Sequence, residues 1–278
     1  MSIDSHVHFW KYDKKKHDWI TDDMKVLRQN YLPEDLSMIT RRNDIQGVVA
    51  VQADQSELET HFLVELAQTH PLIKGVVGWI DLRNDNLQER LDYFNQYPII
   101  KGWRHIVQSE PDDYLLNKKF QEGVALLKEY DYTYDILVYH HQLPAVASFV
   151  EALPDQAFII DHCAKPNIKE AKITEWKQWM RTIAKHPNVY CKISGLFTEA
   201  AWKEWQPADF YPYLDVVFEA FGTDRLVYGS DWPVILVSGI YVQWKSLLEK
   251  YMEGMKPEVK EAIFDTNAKR FYKLDSIA

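Results

Sequence analysis

Eight short hydrophobic runs, each separated from the next by a stretch long enough for a helix, constrain this chain more than any other feature. They fall at 3–8, 47–53, 75–82, 100–106, 133–140, 157–163, 189–196 and 226–232. Segments such as VVAV, VVGWI and FII are almost solid in β-branched and aromatic residues. Parallel strands buried on both faces have this composition, whereas one-sided antiparallel strands alternate more strictly. Helical periodicity is expected at 56–70, 117–130, 142–153, 172–186, 211–221 and 256–272. In the first of these, Leu58, Phe62, Leu63 and Leu66 form one apolar stripe, with Glu57, Glu59 and Gln68 outside it. Ser56 and Glu59 have the spacing of a capping box. Eight strand–helix units in 278 residues come to about 35 residues each, which fits an α/β chain closed into a (β/α)₈ TIM barrel. No linker or shift in composition divides it, so residues 1–278 are expected to form one domain.

Charge and cysteine content narrow the function. The formal net charge is −9, which repels nucleic-acid phosphate, and the densest basic run, Lys14-Lys15-Lys16, is short. No apolar run approaches the length of a membrane span. The start MSIDSHVHFW lacks the basic and apolar regions of a signal peptide. Cys163 and Cys191 form no C-x-x-C pair. A cytoplasmic enzyme acting on a small molecule is the expectation, with neither nucleic acid nor membrane as partner; nothing in the sequence selects an oligomeric state.

Barrel enzymes carry their reactive groups at the C-terminal ends of the strands, and the polar residues here collect there. The first run ends in Asp4-Ser5-His6-Val7-His8. Strict alternation would turn Asp4, His6 and His8 to one side, with the two imidazoles about 7 Å apart along the backbone. The sixth run ends in Asp161-His162-Cys163, and the eighth in Gly229-Ser230-Asp231-Trp232-Pro233, where the proline should hold Asp231 at the rim. The fourth contributes Arg104, a permanent cation suited to a carbonyl or carboxylate oxygen. The fifth contributes His140 or His141. Lys192, inside the seventh run, should be ion-paired to a carboxylate on a neighbouring strand. Three imidazoles (His6, His8, His162) and one carboxylate (Asp231) can make a tetrahedral zinc site. Without a metal the same groups supply a general base and donors for an oxyanion. Aromatic residues, notably Trp10, Tyr12, Trp19, Trp103 and Trp202, could stack on a sugar ring or pack between layers. There is no G-x-S-x-G elbow and no nucleotide-binding loop.

The ordered segments DSHVHFW, KGWRHI, DILVYHHQLP, FIIDHCAKP, VYCKISGL, RLVYGSDWPV and NAKRFY resemble the sugar-lactonase branch of the amidohydrolase superfamily. That branch acts on L-fuconolactone and L-rhamnonolactone and is related to 2-pyrone-4,6-dicarboxylate lactonase. The resemblance implies Asp231 as general base, with Arg104 and His162 in the catalytic group. It leaves His6, His8, Trp10, Trp103 and His140 to bind substrate. It allows one divalent ion, zinc before others, on His6, His8, His162 and Asp231, and equally allows metal-free catalysis; a binuclear centre is not expected. The net charge and the single obvious cavity cation favour a neutral aldonolactone over a dicarboxylated pyrone. The rival readings are a decarboxylase on the same barrel and a silent ligand-binding barrel.

Overall fold

All eight runs form strands, and the strands pair in chain order in one parallel sheet. In the computed structural model, which describes residues 2–274, these are β1 Ser2–Val7, β2 Ile45–Val51, β3 Ile73–Gly78, β4 Ile100–Ile106, β5 Thr133–Leu137, β6 Phe158–Ile160, β7 Val189–Ile193 and β8 Leu226–Tyr228. The helices are α1 Pro33–Arg42, α2 Glu57–Thr69, α3 Leu87–Phe94, α4 Lys118–Leu126, α5 Leu143–Ala152, α6 Thr174–Ile183, α7 Leu196–Glu199, α8 Tyr211–Phe221, α9 Tyr241–Tyr251, α10 Pro257–Glu261 and α11 Asn267–Tyr272. The result is the expected (β/α)₈ barrel. No helix among the described residues is long and apolar enough to cross a membrane.

The seam between β1 and β8 closes just beyond the formal end of β8. Asp231 N donates to His6 O at 2.9 Å, His8 N to Trp232 O at 2.7 Å, Ser5 Oγ to Tyr228 O at 2.6 Å and Ser230 N to the Asp4 carboxylate at 2.9 Å. Inside the barrel, Ile3, Val49, Val51, Val77, Ile159 and Val227 pack with Phe271, Tyr272 and Leu274, which close the end where the strands begin. The larger apolar shell lies between strands and helices.

Local departures from the expected pattern have physical causes. The pairing register of β1 shifts between Asp4 and Val7, so alternation breaks there. Ile3 packs in the interior, while Asp4 accepts from Tyr241 Oη of α9 at 2.8 Å; it does not share a face with His6 and His8. On α2 the buried residues are Glu59, Thr60, Leu63 and Val64, and Leu58 is exposed, because overlapping periodic stripes were available and tertiary packing selected the other one. Ser56 caps that helix by accepting from Glu59 N at 3.2 Å. The reciprocal half of the box is absent, since the Glu59 carboxylate accepts from Ala53 N at 3.3 Å instead. The expected helix at 256–272 is three pieces, with a π-helical turn over Ala262–Thr266 between α10 and α11. Helices α1, α3, α7 and α9 lie outside the segments expected to be helical.

Candidate active site

Three chain segments bring four donor atoms together at the mouth of the barrel. His6 and His8 leave β1 with their Nε2 atoms 3.2 Å apart. After β6 the backbone runs through four consecutive left-handed residues, His162 to Lys165, with φ between 46° and 56°. That conformation is costly for side chains other than glycine, and here it turns His162 over His6, with ring centroids 4.4 Å apart. Asp231, also left-handed at φ 60°, directs Oδ1 to within 3.4 Å of His8 Nε2 and 3.9 Å of both His6 Nε2 and His162 Nε2. Gly195, at φ 65°, allows this packing: a Cβ there would stand 2.5 Å from His162 Nδ1.

Hydrogen bonds on the far side of the rings set their orientation. His8 Nδ1 lies 2.7 Å from the Val51 carbonyl. A carbonyl only accepts, so the ring proton is on Nδ1 and the Nε2 lone pair faces the cluster. His162 Nδ1 meets Ser194 Oγ at 2.9 Å. Burial pushes the His162 imidazole down to about 4 and His6 well below its usual value, so both rings are neutral at pH 7. Burial also raises the Asp231 carboxyl, but positive charge at His162 and at Lys165 outweighs it and brings the carboxyl below its ordinary value. Asp231 is therefore ionised at pH 7, where His162 is neutral and the Lys165 ammonium is the remaining charge.

Beneath these groups lies a fully buried layer of charge. Lys192 Nζ contacts Asp135 Oδ2 at 2.5 Å, Asp161 Oδ1 at 2.9 Å and His6 Nδ1 at 3.1 Å. Arg104 Nη1 donates to Asp161 Oδ2 at 2.9 Å and lies 3.3 Å from His6 Nε2, and its Nη2 donates to the Gln52 carbonyl. Tyr272 Oη donates to Asp135 at 2.8 Å. Burial pushes Asp161 upward, yet Lys192, His6 and Arg104 outweigh it and hold the carboxyl well below the usual range. Asp135, with Lys192 as its main cation, is left at about 6 by its burial. The ion pairing expected for Lys192 is present, with two carboxylates.

The donor set suits a divalent cation. Tetrahedral zinc with ligands at about 2.1 Å places neighbouring donors roughly 3.4 Å apart; the separations of 3.2, 3.4, 3.9 and 3.9 Å lie close to that. His6, His8 and Asp231 form one trio with metal-ligand spacing, and His6, Asp161 and His162 another. Outer hydrogen bonds to a carbonyl and a hydroxyl, as at His8 and His162, are what orient ligating imidazoles.

Above the cluster opens a cavity of about 460 Å³ whose walls include His8, Arg104, His162 and Asp231 together with Trp19, Trp202, Tyr139, Lys165 and Glu199. Other expected contacts lie elsewhere. Trp103 is fully buried between strand and helix layers, against Phe94 and Tyr132; it neighbours inward-facing Arg104 on β4 and so points the opposite way. Trp10 packs on Trp19 and Tyr31 behind His8 and does not reach the cavity. His140 is half-buried, its Nδ1 3.0 Å from the Lys165 carbonyl, and it is not on the cavity wall either. Asp135 and Asp161 were not expected in the site, although each stands beside or within a β-branched strand run where an uncompensated carboxylate would be costly. Lys165 sits in the loop after β6 and Glu199 ends the single turn of α7, and neither left a periodic signal.

The chain is similar to known proteins over nearly its whole length. The Amidohydrolase family profile matches residues 3–274. An L-fucono-1,5-lactonase of Burkholderia multivorans is 37% identical over 99% of this chain and 96% of its own length. An L-fucono-1,5-lactonase of Burkholderia ambifaria is 31% identical over 98% and 96%. Crystal structures of a B. multivorans amidohydrolase, one with bound HEPES and one with bound zinc, superpose with a TM-score of 0.94 at 36% and 37% identity, covering 98% of this chain and 99% of theirs. With a family match across nearly the whole barrel and the buried His/Asp cluster in place, the chain belongs to the amidohydrolase family.

Proposed function

We propose that this protein hydrolyses the ring ester of a neutral sugar 1,5-lactone, giving the open hydroxy acid. The observation that carries the proposal is the convergence of Asp231 Oδ1 with the His8 and His162 nitrogens on the cavity wall and with that of His6, buried behind them. Similarity to two lactonases over almost the full chain supports it.

Asp231 is ionised at neutral pH and takes a proton from the attacking water through the oxygen not turned to the imidazoles. The water oxygen bonds to the lactone carbonyl carbon. Arg104, a permanent cation on the cavity wall, faces the negative oxygen of the tetrahedral intermediate. The ring C–O bond then breaks, and Asp231 returns its proton to the departing alkoxide. A divalent ion held by His6, His8, His162 and Asp231 would supply Lewis-acid polarisation of the carbonyl or water.

The proposal takes residues 1–278 as one catalytic domain working in the cytoplasm, in keeping with two buried free thiols, Cys163 and Cys191. The net charge of −9 favours a neutral substrate over a dicarboxylated one and argues against nucleic acid.

Asp231→Asn keeps the side-chain shape and removes the base. Indicator-monitored proton release from an aldono-1,5-lactone should fall by about 100- to 10,000-fold, without release of carbon dioxide by the parent. A folded variant within tenfold of the parent rate would overturn the mechanism.

A further inference from the structure

Glu199 and Lys165 stand on the cavity wall, at the end of α7 and in the loop after β6. Their charged ends approach only to 3.8 Å, Lys165 Nζ to Glu199 Oε1, with side chains 16% and 17% exposed. That spacing is longer than a hydrogen bond. Elsewhere in this protein a buried structural pair closes fully, as Lys192 does on Asp161 at 2.9 Å. The open pair therefore keeps hydrogen-bonding capacity on both partners.

The immediate surroundings hold these two groups in place. Thr198 Oγ1 donates to Glu199 Oε1 at 3.3 Å, and among the described residues Oε2 accepts no hydrogen bond from the protein. Lys165 Nζ lies over the Tyr139 ring, 5.3 Å from its centroid. Trp202, on the same wall, is fixed by donation from Nε1 to the Thr198 carbonyl at 2.8 Å, and adds an indole to the lining of the cavity. Gln108 Oε1 and Trp19 Nε1, on the same cavity, are buried without a protein partner. A desolvated carboxylate is costly, and burial raises the Glu199 carboxyl. Lys165 is also near enough to Asp231 and His162 to lower both, so the pair borders the reacting centre.

A carboxylate offers two oxygens to two adjacent hydroxyl donors, an ammonium donates to hydroxyl oxygens, and an indole face accepts the C–H side of a sugar ring. We propose that Glu199 and Lys165 form the subsite that reads ring hydroxyls: Glu199 accepts from two neighbouring hydroxyls of the lactone, and Lys165 donates to the oxygen of one of them. This rests on the lactone reading above and names its substrate class as a vicinally hydroxylated ring.

The test compares an aldono-1,5-lactone with δ-valerolactone, which has no ring hydroxyls, in the parent, Glu199→Gln and Lys165→Met. The parent's preference for the hydroxylated lactone, as a ratio of kcat/KM values, should fall about 10- to 100-fold in Glu199→Gln, with a smaller fall in Lys165→Met. Calorimetric binding of a polyhydroxylated δ-lactam, inert under assay conditions, should weaken by a similar factor. Equal losses on both lactones, leaving the ratio unchanged, overturn the subsite while the lactonase reading stands. A parent that hydrolyses neither lactone but binds the lactam through Glu199 supports the subsite and overturns that reading. Equal lactam affinity in parent and Glu199→Gln overturns the subsite in either case.

Discussion

Replacing Lys192 by methionine isolates the buried charge layer. In the parent the layer holds two cations, Lys192 and Arg104, and two carboxylates, Asp135 and Asp161, all inaccessible or nearly so. Removing one cation leaves a surplus negative charge, and breaking a buried pair by deleting one partner typically costs about 3–5 kcal/mol. The cost should depend on pH. Asp135 is at about 6 in the folded parent against 3.8 for an ordinary aspartate, so the folded state binds the extra proton and stability falls as pH rises from 3.8 to 6. Without Lys192 the folded carboxyl titrates higher still, and the decline continues past pH 6. The difference between parent and variant is thus nearly flat below pH 6, then grows by about 1.4 kcal/mol per pH unit until the carboxyl ionises. Urea denaturation at pH 5, 6, 7 and 8 measures this. A loss below about 1 kcal/mol at pH 8, or one constant from pH 6 to 8, would refute the reasoning. A second change, Asp135→Leu, should recover part of the loss despite sacrificing the Tyr272 hydrogen bond.

Three further outcomes follow from the geometry. Gly195→Ala puts a Cβ 2.5 Å from His162 Nδ1 at a left-handed φ; it should cost about 1–3 kcal/mol and lower kcat/KM at least tenfold, and an unaltered kcat/KM would contradict the packing. Glu59 is raised by burial to about 7 from 4.5, so its contribution to stability is greatest below pH 4.5 and is lost towards pH 7, about 3 kcal/mol in all; Glu59→Gln should abolish that part of the pH dependence, and parallel denaturation curves from pH 4 to 8 would count against it. Chelator-stripped protein should take up zinc in competition with a chromogenic chelator, with His8→Ala weakening uptake at least about 100-fold; equal uptake by both would remove His8 from the metal site.

The strands were legible because burial on both faces demands nearly continuous apolar runs, and their C-terminal ends marked the reactive residues. Strand ends were not. β6 stops at Ile160 and β8 at Tyr228, since left-handed residues follow and no local pattern announces them for His162 or Asp231. The side occupied by Asp4 depends on a register shift, which is a property of two strands rather than one. Trp103 could have been placed from parity, because its neighbour Arg104 must face the interior if it serves the site. Lys192 signalled a buried partner, but Asp135 and Asp161 lie 57 and 31 positions away, and only the closed sheet brings them alongside.

The hydroxyl of Tyr272 reaches Asp135 from the plugged end of the barrel, and Asp135 holds the lysine that touches His6. The centre is therefore tied to a helix at the opposite end of the barrel. Loosening α11 should be felt at His6 through Asp135 and Lys192 while every residue of the cavity wall stays in place.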